Sequence, residues 1–294
     1  MMLRPGAAAS SRHTSDQQVT TDAEETVIAA GLTARQYIID IWKYRELLLF
    51  LAWREILVRY KQTVVGIAWA IIRPALMIFV LVIVFDKLGK MPSGGVPYPL
   101  LVLCGLLPWQ FLSNALASSG ESLVGNAALV SKVYFPRLLI PAGSISAGLV
   151  EFLISLALLL ALLIWYKWVP PAGIVWLPCF LLLAIVIAFG VGIWVAALVV
   201  QYRDVRFIIP FAVQFGLYIS PVGFSSSVIP ERFELLYALN PMVGVVDGFR
   251  ASILGGEHMI RPYSLSSSVL GAIVLVTTGL AYFRRIDRRL ADMI

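Results

Sequence analysis

Charge is scarce in this 294-residue chain: 14% of residues are Asp, Glu, Lys or Arg, against 60% hydrophobic. That balance excludes an ordinary soluble domain and indicates an integral membrane protein. Histidine is scarcer still. His13 and His258 are the only two, which argues against a metal site or a histidine proton relay. The two cysteines, Cys104 and Cys179, lie in apolar runs without metal-ligand spacing and read as small packing residues. No Gly-x-x-x-x-Gly-Lys-Ser/Thr loop occurs, so nucleotide binding by that route is excluded. There is no Asp-x-Asp pair or carboxylate cluster of the kind a metal-dependent lipid-linked transferase needs. Internal repeats and multiple intramembrane carboxylates, common in secondary transporters, are also missing; only Glu151 falls in mid-span. The first 30 residues have no apolar core segment of a cleavable signal peptide.

What is present is organised around Leu51 to Pro74. On a helical wheel Arg54, Glu55, Arg59 and Lys61 fall on one side, and Leu49, Trp53, Ile56, Leu57 and Tyr60 on the other; Leu51 and Val58 break the pattern. Such a helix is expected to lie in the plane of a membrane surface. From Thr63 to Phe85 a 23-residue run carries one charge, Arg73. At about 1.5 Å per residue it crosses a hydrocarbon core of roughly 30 Å.

The chain divides into a polar tail (1–32), an amphipathic interfacial region (33–62) and a transmembrane region (63–294). The fold class is all-α integral membrane, with six spans: Thr63–Phe85, from Tyr98, Leu138–Ile164, Ile174–Val200, a shorter Phe207–Pro221, and Leu265–Phe283. Pro108 is expected to kink the second, with Ser113 and Asn114 satisfying the freed backbone. Phe233–Leu239 and Met242–Leu254 are too short to cross and read as a re-entrant pair in the segment Gly223–Pro262. Thirteen basic residues fall near the spans on the side of the termini and six on the other, which places both termini in the cytoplasm. The same rule makes the re-entrant pair external. The net charge of +6 follows the spans, so it points to membrane lipids and not to nucleic acid.

Five stretches, in this order, resemble the membrane subunits of ABC type-2 exporters of lipid-linked polysaccharide: REILVRYKQTVVGIAWAIIRPAL (54–76), GLLPWQF (105–111), NAALVSKVYFPRLLIP (126–141), QYRDVRFIIPF (201–211) and LNPMVGVVDGFR (239–250). The first 30 residues lie outside this likeness. The resemblance implies a homodimer in the bacterial inner membrane and a separate cytoplasmic ATPase dimer that holds ATP and Mg, with no cofactor in this chain. It implies export of an undecaprenyl-pyrophosphate-linked, O-antigen-like glycan. Two alternatives stay open: a type-2 permease for a drug or simple lipid, and a membrane-embedded lipid-modifying enzyme.

Four groups of residues are candidates for function. Arg54, Arg59 and Lys61 suit a lipid pyrophosphate, because guanidinium pairs bidentately with phosphate; anchoring to anionic lipid is the plainer reading. Arg73 joins this entrance group, or else pairs with Glu151. Phe207, Phe211, Phe215 and Tyr218 form one helical stripe, to which Trp69, Trp109 and Phe111 could add. Such a stripe stacks on sugar faces in a channel, or simply packs helices together. By resemblance, the loop 120–137 is the coupling helix docking on the ATPase, through Glu121, Leu123, Asn126, Leu129, Val130 and Lys132; resting on headgroups is its alternative. Pro230, Arg232, Asn240 and Pro241 belong to the external gate that the same resemblance implies.

Overall fold

The computed structural model describes residues 39, 42–61, 68–132, 135–256 and 261–287, and every regular element among them is helical. The polar tail and the first residues of the interfacial region lie outside the described residues. So do Thr63 at the start of the first span and His258.

Ten α-helices follow in order: α1 Arg45–Tyr60, α2 Ala68–Leu81, α3 Tyr98–Gly125, α4 Ala127–Lys132, α5 Leu139–Trp165, α6 Leu177–Gln201, α7 Val205–Ile219, α8 Glu231–Ala238, α9 Pro241–Ile253 and α10 Pro262–Asp287. A π-helical turn, Val82–Leu88, prolongs α2, and a 3-10 turn, Ala172–Trp176, leads into α6. Proline sets several boundaries. Pro99 and Pro178 stand in the first turns of α3 and α6, and Pro241 opens α9, where an absent N–H costs nothing.

Five helical stretches are long and apolar enough to cross a membrane: Ala68–Leu88, Tyr98–Gly125, Leu139–Trp165, Ala172–Gln201 and Pro262–Asp287. The expected Phe207–Pro221 span is the 15-residue α7, about 22 Å long at the α-helical rise and short of a roughly 30 Å core. α8 and α9 fall within one to two residues of the two short pieces expected there. The second span continues through Pro108 to Gly125, so the loop expected from Gly120 is largely helix. Ser113 donates to Trp109 O, and Asn114 turns to Glu151 in place of the backbone around the proline.

The centre is α3. Residues 100–109 are all buried, against α5, α6, α7 and α9. α6 and α10 pack closely through glycine: a Cβ on Gly190 would lie 2.9 Å from Val276 N, and one on Gly279 would lie 3.0 Å from Gly190 O. α2 and α7 leave much of their apolar surface uncovered. Cys104 is buried as expected, whereas Cys179 is exposed.

Gly190→Leu should push α6 from α10 and destabilise the protein by about 1–3 kcal/mol, seen as a lower Tm in detergent. Gly148→Ala, whose added Cβ would lie 3.5 Å from the Phe111 ring, should leave Tm within the scatter of the wild type.

Candidate functional site

α1 packs along the first half of α5. A Cβ on Gly143 would lie 3.0 Å from the Leu51 Cβ, and eight residues further along both helices Arg59 meets Glu151. α1 thus lies lengthwise along α5. Its charged side is turned inward: Arg59 Nη1 donates to Glu151 Oε1 at 2.7 Å, and Arg54 donates to Asn126 Oδ1. Leu49, Phe50, Trp53, Leu57 and Val58 are exposed on the other side. Leu51, out of place on the wheel, is the apolar residue that fits against Gly143.

Glu151 also accepts from Tyr60 at 3.2 Å and from Asn114 of α3. Burial, and next the Glu151 carboxylate, push the Tyr60 phenol up to about 12, with Arg59 and Arg73 opposing. Glu151 therefore pairs with Arg59, and the Arg73 alternative is corrected. Arg73 and Lys61 are exposed, and neither makes an ion pair among the described residues. Lys61 borders a small apolar groove between α1 and α5, lined by Ile56, Leu57, Tyr60, Val150 and Ile154.

Further along α3 a cleft of about 500 Å³ opens between its end and the α6–α7 turn, lined by Glu121, Val124, Ala127, Val199, Arg203 and Arg206. Arg137 reaches the end of α10, donating to Asp287 O at 2.5 Å. Arg54, Arg137, Arg203 and Arg206 thus gather at one end of the bundle. Within the coupling segment Glu121, Val124 and Lys132 are exposed and Asn126 and Leu129 are half-buried. Leu123 and Val130 are buried in a core cluster with Leu51, Phe135 and Leu138. Leu123 faces inward on α3 and Val130 on the separate α4, so neither is surface for a partner, contrary to the expectation.

Phe207, Phe211, Phe215 and Tyr218 are exposed along α7, 53–69% each, with the rings of Phe211 and Phe215 4.3 Å apart. Arg206 sits over the Phe207 ring at 4.9 Å. Trp69 is exposed on α2. Trp109 and Phe111 are inside the subunit: Trp109 packs under Gly216 of α7, and Phe111 meets Phe152 edge-on at 6.1 Å. They belong to the packing of α3 and not to a channel surface.

At the opposite end, Pro230 and Arg232 are exposed, Arg232 lying over Phe233 at 4.8 Å. Asn240 caps α9 by accepting from Met242 N at 3.0 Å, and its amide donates to Ser220 Oγ at 2.9 Å. Pro241 follows, half-buried. Glu234 pairs with Arg261 and accepts from Tyr263. Arg250 is wholly buried, and Asp247 is buried with it. Burial raises the Asp247 carboxyl, opposed by Ser226 and Arg250, and lowers the Arg250 guanidinium. The signal for this pair was the i, i+3 spacing of two charges in an otherwise apolar, glycine-spaced helix.

Residues 46–254, well over half of the chain, match the family described as ABC-2 type transporter. The chain belongs to that family. The permease is 26% identical over 250 residues to the O-antigen export system permease protein RfbA of Klebsiella pneumoniae, covering 85% of this chain and 95% of that one. It is 28% identical over 215 residues to the protein of the same name from Myxococcus xanthus, covering 72% and 82%. The polysialic acid transport protein KpsM of Escherichia coli is 26% identical over 236 residues, covering 79% and 90%.

Glu151→Ala would leave the half-buried Arg59 guanidinium with only the longer ion pair to Glu55, at 3.8 Å. It should lower stability by about 1–3 kcal/mol, read as a drop in Tm. Arg73→Ala should stay within about 0.5 kcal/mol of the wild type.

Proposed function

We infer that this permease forms one half of a homodimeric channel through which a lipid-linked polysaccharide leaves the cytoplasm, driven by a separate ABC ATPase. The carrier is read as undecaprenyl pyrophosphate, the membrane as the bacterial inner membrane, and both termini as cytoplasmic. The observation that carries this reading is the exposed aromatic face of α7. Four rings on a helix too short to span, together with the uncovered apolar face of α2, suit a wall that a second copy closes. Aromatic faces stack on the C–H faces of sugars without demanding one sequence of residues. The names of the relatives, O-antigen export permease and polysialic acid transport protein, point to the same class of cargo.

Lys61 and Arg73 are the exposed cations of the entrance group and the ones read as receiving the pyrophosphate. Arg59 and Arg54 hold α1 in place behind them. The cleft between Glu121 and Arg206, with Val124 on its rim, is read as the surface that meets the ATPase. Movement there shifts the spans only if the ATPase contacts differ between its nucleotide states.

Export is tested by returning variants to a cell that lacks the permease and measuring glycan at the surface. Removing one ring loses about 1 kcal/mol of sugar contact, so Phe211→Ala and Phe215→Ala should each cut export roughly five-fold at unchanged membrane level. Export at the wild-type rate in the double variant would overturn the aromatic-channel reading. Val124→Glu should abolish co-purification of the ATPase while the permease stays inserted; normal co-purification would remove the cleft from the coupling surface.

A further inference from the structure

Between α7 and the short 3-10 turn Ser226–Val228 the chain runs non-helically through Ser220–Ser225, in the interior of the protein. Its carbonyls have no helical ladder, yet side chains meet three in succession. Arg250 Nη2 donates to Val222 O at 2.9 Å, Tyr98 OH to Gly223 O at 2.7 Å, and Arg250 Nη1 to Phe224 O at 2.7 Å. The remaining guanidinium nitrogen, Nε, donates to Leu101 O of α3 at 3.3 Å. Asp247, one turn before Arg250, makes no ion pair with it among the described residues; it accepts instead from Ser226 Oγ at 2.6 Å. Asn240 holds the other end, at Ser220. α9 therefore grips the segment at both ends and in the middle.

We propose that Arg250 is a positioning residue: its guanidinium binds the 220–226 segment to α3 and α9, so that the end of α7 and the α8–α9 pair move as one body during transport. The planar fork is what makes this possible. Donors pointing in three directions reach carbonyls on two elements, whereas a lysine offers one point-like head. The fit is close: a Cβ on Gly105 would lie 2.9 Å from Arg250 Nη2 and 3.0 Å from Val222 O, so only glycine leaves room there. An arginine buried without a paired carboxylate is costly unless its donors are all used. Here all three guanidinium nitrogens donate to backbone carbonyls, and those of Val222 and Phe224 lie outside any helical ladder. The inference rests on the channel reading for the role of α7, and it adds that the external pair is not a flap hinged independently of that wall.

The contact between Ser220 and Asn240 gives the test. The full-length permease with its ATPase carries S220C and N240C together with C179A; Cys104, fully buried, is left in place. A short bis-methanethiosulfonate bridges the two thiols, and bridging is read by mass spectrometry. ATP hydrolysis is compared between the reduced and bridged forms of the same protein. The expected result is full bridging in both the nucleotide-free and the ATP-trapped complex, equal hydrolysis in the two forms, and loss of bridging when R250K is added. Three results would overturn the proposal: loss of bridging on ATP trapping, arrest of hydrolysis that a reductant releases, or full bridging in R250K. If R250K does not reach the membrane, G105A, whose added Cβ would lie 2.9 Å from Arg250 Nη2 and 3.0 Å from Val222 O, replaces it with the same expectations. None of these readouts needs a glycan, so a failure here is separable from a failure of the polysaccharide reading.

Discussion

A polar group among apolar helices must be answered by the protein itself, because no water is at hand to answer it. In this permease the constraint is met first at Arg59 and Glu151, where a half-buried guanidinium and a mid-helix carboxylate hold each other at 2.7 Å. Tyr60 and Asn114 complete the carboxylate's partners and tie α1, α3 and α5 at one level. With α1 fixed there, Arg54 falls beside Asn126, and the start of the bundle is joined to the turn between α3 and α4. The apolar side of α1 can then face outward, as lipid permits and water would not.

The same need is met differently at the other end. There the unsatisfied groups belong to the backbone, and a single buried arginine with Tyr98 beside it takes them up. One end thus uses charge against charge and the other charge against carbonyl. The second kind is sensitive to geometry, which explains why a glycine lies beside it at position 105.

Much of the architecture was legible. Apolar length found the five long helices, and Pro230 with Asn240-Pro241 marked the two short helices α8 and α9 to within a residue or two. What was not legible was direction. A helical wheel separates the two faces of α1 but does not say whether lipid or protein takes the charged one. The exception, Leu51, held that information and made sense only against Gly143. Leu123 and Val130 were assigned outward for the same reason: the polarity of the segment does not say which stripe of α3 or of α4 turns to the core. Trp109 and Phe111 share a composition with the α7 stripe, yet sequence spacing cannot tell a ring under a glycine from a ring on a surface. Exposure of Phe207, Phe211, Phe215 and Tyr218 was not legible either: α7 packs on α3 and α6, and these four rings lie on the face it leaves uncovered.

That shortness reaches further than the rings. Some 22 Å of helix cannot match a hydrocarbon slab of roughly 30 Å, so lipid beside α7 must thin or water must dip toward its ends. Either way the dielectric barrier is lowest at this wall. On the proposed reading, a hydrophilic polymer threaded there would spend fewer of its units out of water than beside any of the five long helices.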